Sequence, residues 1–241
     1  MAWGLGANAT AVFGTAVATT VVRYRTAMVL TAVFALAGAA LEGDKCLQVF
    51  VTLLDKMGTF PVSLALVASL AAALVMALMS SRGLPVSTSQ AAIGAVVGIT
   101  WTQGQVQWGS LAKVLVCWLL TPVGAGIVSY LLYLLVAWLV NRYVKTDRVL
   151  NLFVRYGMIF AGCYGAYSLG ANHVANATGV FFVKGIFSSQ AAAWIGGFGI
   201  ALGAGGFTTA GIVYIFQLKR YHAVIPPAVL IGFHCYASAI Q

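Results

Sequence analysis

A short polar motif occurs twice in this otherwise apolar chain. Residues 170–179 read Gly-Ala-Asn-His-Val-Ala-Asn-Ala-Thr-Gly, and a shorter copy beginning at Gly6 reads Gly-Ala-Asn-Ala-Thr. In a bilayer, amide and hydroxyl side chains are tolerated where they face one another or a cavity, and glycine lets backbones approach closely. The two copies predict two corresponding halves around a ligand site of neutral hydrogen-bonding groups. For the first copy alone, the alternative is a packed helix whose hydroxyls bond to the preceding turn.

A second polar motif predicts the start of a helix inside the membrane. Residues 83–90 read Gly-Leu-Pro-Val-Ser-Thr-Ser-Gln, and an Ala-, Gly- and Val-rich segment follows. Proline is favoured in the first turn of a helix, and serine and threonine are favoured as caps. The free N–H groups of such a helix start, with the hydroxyls of Ser87, Thr88 and Ser89, can hold an anion without any Lys or Arg. The alternative is a helix start at the membrane surface with solvated hydroxyls.

The composition is that of a membrane protein. Of the 241 residues, 61% are hydrophobic and 7% are charged, which is far from the composition of a soluble domain. A helix needs about 20 apolar residues to cross a bilayer, and the uncharged runs predict seven to nine membrane passes or re-entrant pieces. The predicted fold class is therefore an all-α, polytopic membrane protein of the cell or plasma membrane, with the lipid bilayer as its surroundings.

The formal net charge of +9 does not indicate nucleic-acid binding. The basic residues stand at the ends of apolar runs, which is the positive-inside pattern of membrane proteins. The cysteines lack the spacing of a zinc site or a disulfide framework and are interpreted as small buried hydrophobic residues; they are Cys46, Cys117, Cys163 and Cys235. No hydrolase or metalloprotease motif is found, so the chain is predicted to be no enzyme and to carry no cofactor or metal.

The most polar connection predicts the boundary between the halves. Residues 1–140 form the first predicted transmembrane repeat, 141–155 the polar connecting loop, and 156–241 the second repeat, incomplete or divergent after about residue 203. Three of the four acidic residues fall near the end of an early apolar run, at Glu42, Asp44 and Asp55. They predict a solvated loop, and a cation site is the alternative.

These motifs together resemble the inorganic phosphate transporter (PiT) family. Residues 170–179 are similar to the family signature Gly-Ala-Asn-Asp-Val-Ala-Asn-Ala-x-Gly, and residues 83–90 are similar to its Gly-Leu-Pro-Val-Ser-Thr-Thr-His. Residues 194–203 resemble the Gly-Gly-x-Gly-Ile-x-Leu-Gly segment that follows the second signature. The order and spacing of these elements match over roughly residues 1–203. The resemblance implies a symporter of two inverted repeats, in which broken or re-entrant helices hold an oxyanion and a coupling cation, H⁺ or Na⁺.

The resemblance also implies which side chains bind the substrate. They are the polar residues of the three motifs, carried over position by position: Asn8, Thr15, Ser87, Thr88, Ser89, Asn172, His173, Asn176 and Thr178. The implied partner is inorganic phosphate or sulfate, and a homo-oligomer is left open. The implied mechanism is alternating access around Asn172 and the helix start at Ser87.

Departures from the family pattern bear on the substrate. His173 stands where the signature has an acid, and Gln90 replaces the histidine of the helix-start motif. Phosphate near pH 7 carries a proton that a carboxylate can accept, whereas sulfate only accepts hydrogen bonds. A site of amides and hydroxyls without an acid therefore favours sulfate, although a histidine can also accept the phosphate proton. Phosphate symport is the prediction; sulfate permeation and a truncated, non-transporting membrane protein are the alternatives.

Overall fold

The described part of the molecule is entirely helical. The structure is a computed structural model that describes residues 1–55, 61–81, 86–104 and 106–205. A 3-10 turn at Thr10–Phe13 separates the first two helices. The helices are α1 Ala2–Ala9, α2 Gly14–Ala18, α3 Tyr24–Asp55, α4 Val62–Ser81, α5 Thr88–Thr102, α6 Trp108–Tyr143, α7 Asp147–Val183 and α8 Ser189–Gly205.

Four of these helices are long and apolar enough to cross a membrane. Among the described residues the candidate spans are Tyr24–Gln48, Val62–Met79, Trp108–Tyr143 and Asp147–Val183. Helix α6 shows how apolar surface is left outside the core: over its 36 residues only Val114 is buried. Such a surface suits lipid and would be unusual on a soluble protein. The chain is an integral membrane protein with several spans, as the composition predicts.

The core is formed where α3, α7 and α8 pack together, with α1 against α8. Small residues dominate this core, among them Ala35, Ala39, Ala175 and Ala192, which are at most 4% exposed. Without a hydrophobic driving force between helices in lipid, close packing of small residues is what holds such helices together.

Two pairs of glycines set the closest approaches. A Cβ at Gly170 of α7 would collide with the backbone of Ala35, and one at Gly38 of α3 would collide with the carbonyl of Tyr167. The same relation joins α1 and α8, since a Cβ at Gly6 would meet the backbone of α8 and one at Gly203 the carbonyl of Trp3. The first glycine of each Gly-Ala-Asn copy therefore serves helix packing.

The acidic segment differs from the prediction. Residues 42–45 lie within α3, which continues to Asp55, so the predicted solvated loop at Glu42 is wrong. A Cβ added at Gly43 would lie 3.5 Å from the Val174 side chain of α7, and Lys45 Nζ lies 3.9 Å from Glu42 Oε1, one turn back. The cluster of charged residues suggested a loop, but the contact between Gly43 and α7 keeps this segment helical.

The second signature differs from the predicted broken helix. It lies in α7, which runs without interruption over 37 residues, about 55 Å at 1.5 Å per residue. The polar segment 141–155 is also largely helical, because α6 ends at Tyr143 and α7 begins at Asp147. The division into repeats with inverted orientation, placed at this segment, stays a prediction.

Candidate functional site

The helix start at the second motif is as predicted. Helix α5 begins at Thr88, and Ser87 caps it with an extended backbone (φ −75°, ψ 115°). The Ser87 Oγ accepts a hydrogen bond from the backbone N–H of Gln90 at 3.4 Å. A cap satisfies one of the N–H groups of a first turn, and the positive end of the helix dipole lies at this same end of α5.

Thr88 adds a buried hydroxyl that lacks a partner. The residue is 1% exposed, and within the described part of the chain its Oγ1 makes no hydrogen bond. Leaving a buried hydroxyl unsatisfied costs about 1 to 3 kcal/mol. Thr88 therefore presents an unsatisfied buried hydroxyl at the start of α5.

Asn176 brings the second signature to this helix start. Its side chain is 8% exposed, and its Nδ2 donates a hydrogen bond to the Ser89 Oγ at 2.9 Å. The bond links α7 to the first turn of α5, so two motifs that are 87 residues apart in sequence meet in space. The sequence predicts a site around Asn172 and the helix start at Ser87 to Ser89, and the observed bond joins Asn176, one turn after Asn172, to Ser89.

Asn172 lies one helical turn before Asn176, on the same side of α7. Its side chain is exposed, and its Oδ1 is 3.2 Å from the Cys46 Sγ of α3. Cys46 was interpreted from the sequence as a buried hydrophobic residue, and its polar contact was missed. No local pattern marks it, because the contact depends on how closely α3 approaches α7.

His173 is buried within α7. It is 4% exposed, and its Nδ1 lies 3.1 Å from the carbonyl oxygen of Leu169. Because a carbonyl only accepts hydrogen bonds, Nδ1 must carry the proton, and in the neutral ring Nε2 is then the acceptor nitrogen. The residue that replaces the signature acid can therefore accept a proton at Nε2 while its other nitrogen is held by the helix.

The Thr178 hydroxyl is hydrogen-bonded to backbone carbonyl groups. It is 5% exposed, and its Oγ1 lies 3.0 Å from the carbonyl oxygens of both Val174 and Ala192. The second of these carbonyls belongs to α8, so the hydroxyl ties α7 to α8. The side chain is satisfied by backbone groups, in contrast to that of Thr88.

The first copy stands apart from this group of residues. Thr15 lies in α2, where its carbonyl accepts hydrogen bonds from the N–H and the hydroxyl of Thr19, at 2.9 Å and 2.8 Å. Within the described residues no hydrogen bond links Thr15 to α5 or α7. The side chain of Asn8 lies outside the described residues. Substrate binding by the nine candidate side chains stays a prediction.

A family model described as the phosphate transporter family matches residues 5–213. The chain belongs to the phosphate transporter family. The resemblance seen in the motifs is thereby confirmed over most of the sequence.

Relatives within this family carry different substrate names. The sulfate permease CysP of Bacillus subtilis is 28% identical over 207 residues, which cover 84% of this chain and 57% of that protein. The chloroplastic inorganic phosphate transporter 2-1 of Arabidopsis thaliana is 34% identical over 143 residues, which cover 55% of this chain and 24% of that protein. The chain thus spans between about a quarter and somewhat over half of the length of these family members.

A solved structure has the same fold. It is titled "The sodium-dependent phosphate transporter" and superposes with a TM-score of 0.72 at 19% identity, covering all of this chain and 80% of that one. The fold of the present chain is therefore that of a helical membrane transporter.

Proposed function

We propose that this chain transports inorganic phosphate across a membrane as a secondary active transporter, coupled to the movement of H⁺ or Na⁺. Family membership and the names of its relatives support the substrate class. The geometry supports a site for an oxyanion at the start of α5, beside α7. The residues proposed to bind it are Ser87, Thr88, Ser89, Asn172 and Asn176.

The observation that carries this proposal is the junction of Asn176 with Ser89 next to Thr88. Asn176 Nδ2 donates to Ser89 Oγ at 2.9 Å, which joins α7 to the first turn of α5. Thr88 Oγ1 is buried and has no partner in the described part of the chain. A buried, partnerless hydroxyl and the capped first turn of α5 thus lie beside Asn176 of the second signature.

Neutral donors suit a transported anion for an energetic reason. Hydrogen bonds from helix N–H groups and hydroxyls stabilise a negative charge in a low-dielectric setting, yet they add no full positive charge that would hold the anion permanently. Movement of one group of packed helices relative to the other would then open the site to each side of the membrane in turn. This alternating access is part of the proposal.

Sulfate is the second candidate substrate, and a specific observation favours it. The signature acid is replaced by His173, whose Nδ1 is held by the Leu169 carbonyl at 3.1 Å. A sulfate ion brings no proton that needs an acceptor, so it requires only the donors already described. The likeness to the Bacillus sulfate permease over 84% of this chain supports the same candidate.

The test is uptake by the full chain reconstituted in lipid vesicles. Labelled phosphate uptake is measured with sulfate as competitor, across a range of pH and with or without sodium. Phosphate transport predicts saturable uptake that depends on a proton or sodium gradient and that excess sulfate reduces only weakly. Strong competition by sulfate together with labelled sulfate uptake favours the second candidate, and a well-inserted protein without either uptake contradicts the proposal.

Variants separate the site from general folding. Thr88→Val removes the partnerless hydroxyl while keeping its volume, and Thr100→Val is its matched control in the same helix, because Thr100 is also buried but bonds the Val96 carbonyl at 3.1 Å. The proposal requires Thr88→Val to reduce uptake per inserted molecule. Equal loss of uptake in both variants would show that substituting any buried threonine of α5 reduces uptake, so that the effect would not be specific to Thr88.

A further inference from the structure

The contact between Cys46 and Asn172 lies beside the proposed anion site but is not explained by it. Cys46 belongs to α3 and Asn172 to α7, 126 residues apart in sequence, and the Sγ to Oδ1 distance is 3.2 Å. Asn172 is exposed, and among the described residues the Cys46 thiol is the partner of its amide oxygen. The bond therefore fixes which end of this carboxamide faces α3.

The chemistry of the pair orients the amide. A thiol is a weak donor and a poor acceptor, whereas an amide oxygen is a strong acceptor and cannot donate. The S–H of Cys46 therefore donates to Oδ1 of Asn172. The Nδ2 group of Asn172 is the end of the carboxamide that the thiol does not bind, and within the described residues no hydrogen bond involving it is observed.

The backbone makes this short contact attainable. Gly38 brings α3 against the Tyr167 carbonyl, and Gly43 packs against Val174. Because α3 approaches α7 this closely, the single-carbon side chain of cysteine reaches the carboxamide. Asn172 lies one turn from Asn176, whose own Nδ2 donates into the helix start of α5, so the two carboxamides lie on the same side of α7.

We infer that Cys46 is a positioning residue for the transported oxyanion: its thiol holds the amide oxygen of Asn172 away, so that the amide nitrogen faces the anion. This inference rests on the proposed function. If the carboxamide were reversed, its oxygen would face a negative ion and repel it. The thiol thus selects the binding orientation of a residue that touches substrate, without touching substrate itself.

Kinetic constants of two substitutions at one position test the inference. Cys46→Ser keeps a hydroxyl donor of similar size, and Cys46→Ala removes the donor. Because a hydrogen bond of this kind is worth about a factor of 3 to 10 in an equilibrium constant, the alanine variant should raise the KM for anion uptake by about 3- to 10-fold with little change in maximal rate. The serine variant should stay within about twofold of wild type.

The control is Cys117→Ala, which removes an exposed thiol on α6 and should leave both constants unchanged. Equal KM values for wild type, Cys46→Ser and Cys46→Ala overturn the inference. So does an equal fall of maximal rate in both Cys46 variants, which indicates a purely structural role. If wild type itself takes up no anion, the proposed function fails; if wild type transports and Cys46→Ala behaves like it, only this inference fails.

A labelling experiment covers the case in which the alanine variant does not insert. In a chain that keeps Cys46 alone among its cysteines, alkylation by a small permeant maleimide is timed with and without saturating phosphate, and again with sulfate. Bound anion should slow the reaction by at least about threefold, because it holds Asn172 in the orientation whose amide oxygen accepts the hydrogen bond of the thiol. A chain that keeps Cys163 alone should react at the same rate with and without anion. Equal alkylation rates at Cys46 under all conditions overturn the inference.

Discussion

The two Gly-Ala-Asn copies have similar sequences and different backbones. In the first copy α1 ends at Ala9, a 3-10 turn covers Thr10–Phe13, and α2 follows. In the second copy the whole motif lies inside α7. Both copies nevertheless use their first glycine in the same way, since Gly6 lies against α8 and Gly170 lies against α3.

This difference shows which part of the motif depends on its surroundings. The glycine provides a close helix contact in either setting, whereas the asparagines that follow gain a fixed spacing only where the helix continues. Asn172 and Asn176 stand one turn apart because α7 is regular there. We therefore expect the second copy to supply the rigid half of the site, and the following substitutions test the contrast.

The largest effect is expected from adding a methyl group at the close contact of the second copy. Gly170→Ala places a Cβ against the backbone of Ala35, which cannot yield as a flexible side chain can. Overpacking of this kind costs about 1 to 3 kcal/mol in the free energy of unfolding. Thermal unfolding in detergent should show a clearly lowered Tm.

The matched control for that substitution is Gly94→Ala in α5, where nothing lies within 4 Å of the added Cβ. Its Tm should be unchanged or slightly raised, because alanine is the better helix former by about 1 kcal/mol. If Gly94→Ala and Gly170→Ala lowered the Tm equally, glycine packing would not distinguish the second copy.

A large effect on transport is expected at the bond between the two motifs. Asn176→Ala removes the donor to Ser89 and should reduce uptake at least about tenfold, since a binding group and its positioning bond are lost together. Asn151→Ala, an exposed asparagine at the start of α7, is the control. Unchanged uptake by Asn176→Ala would contradict the proposed site.

The two buried threonines should separate into different roles. Thr178→Val breaks a bond between α7 and α8 and should lower the free energy of unfolding by about 1 to 2 kcal/mol. Uptake per inserted molecule should then change little. Thr88→Val should instead reduce uptake and leave the free energy of unfolding nearly unchanged. Parallel measurement of Tm and uptake decides this, and a Thr178→Val protein that is fully stable but inactive would restore Thr178 as a substrate ligand.

The smallest effect is expected in the first copy. Thr15→Ala removes a partly exposed hydroxyl that no described hydrogen bond joins to α5 or α7, and uptake should stay within about twofold of wild type. An effect as large as that of Asn176→Ala would show that both copies contribute equally to the site.

The helix start could be predicted from the sequence, because its cause is local. Proline at 85 and serine at 87 mark a capped first turn, and α5 indeed begins at Thr88. The pairing of Asn176 with Ser89 could not be predicted, because it depends on how α5 lies against α7. The Cys46 contact was missed for the same reason.

Local signals also misled where packing overrides them. The charges at Glu42, Asp44 and Lys45 suggested a loop, yet Gly43 faces α7 and the helix continues. The family resemblance implied broken or re-entrant helices, yet α7 is continuous through the second signature and Gly170 lies against Ala35 of α3. In both places the decisive partner is distant in sequence.

The most direct test of the account is equilibrium binding of labelled phosphate and sulfate to the purified full chain, without any ion gradient. The account predicts saturable binding of at least one of these anions, weakened at least about tenfold by Asn176→Ala and by Thr88→Val and unchanged by Thr121→Val on the exposed surface of α6. Binding that is equal in all four proteins would contradict the site at the start of α5.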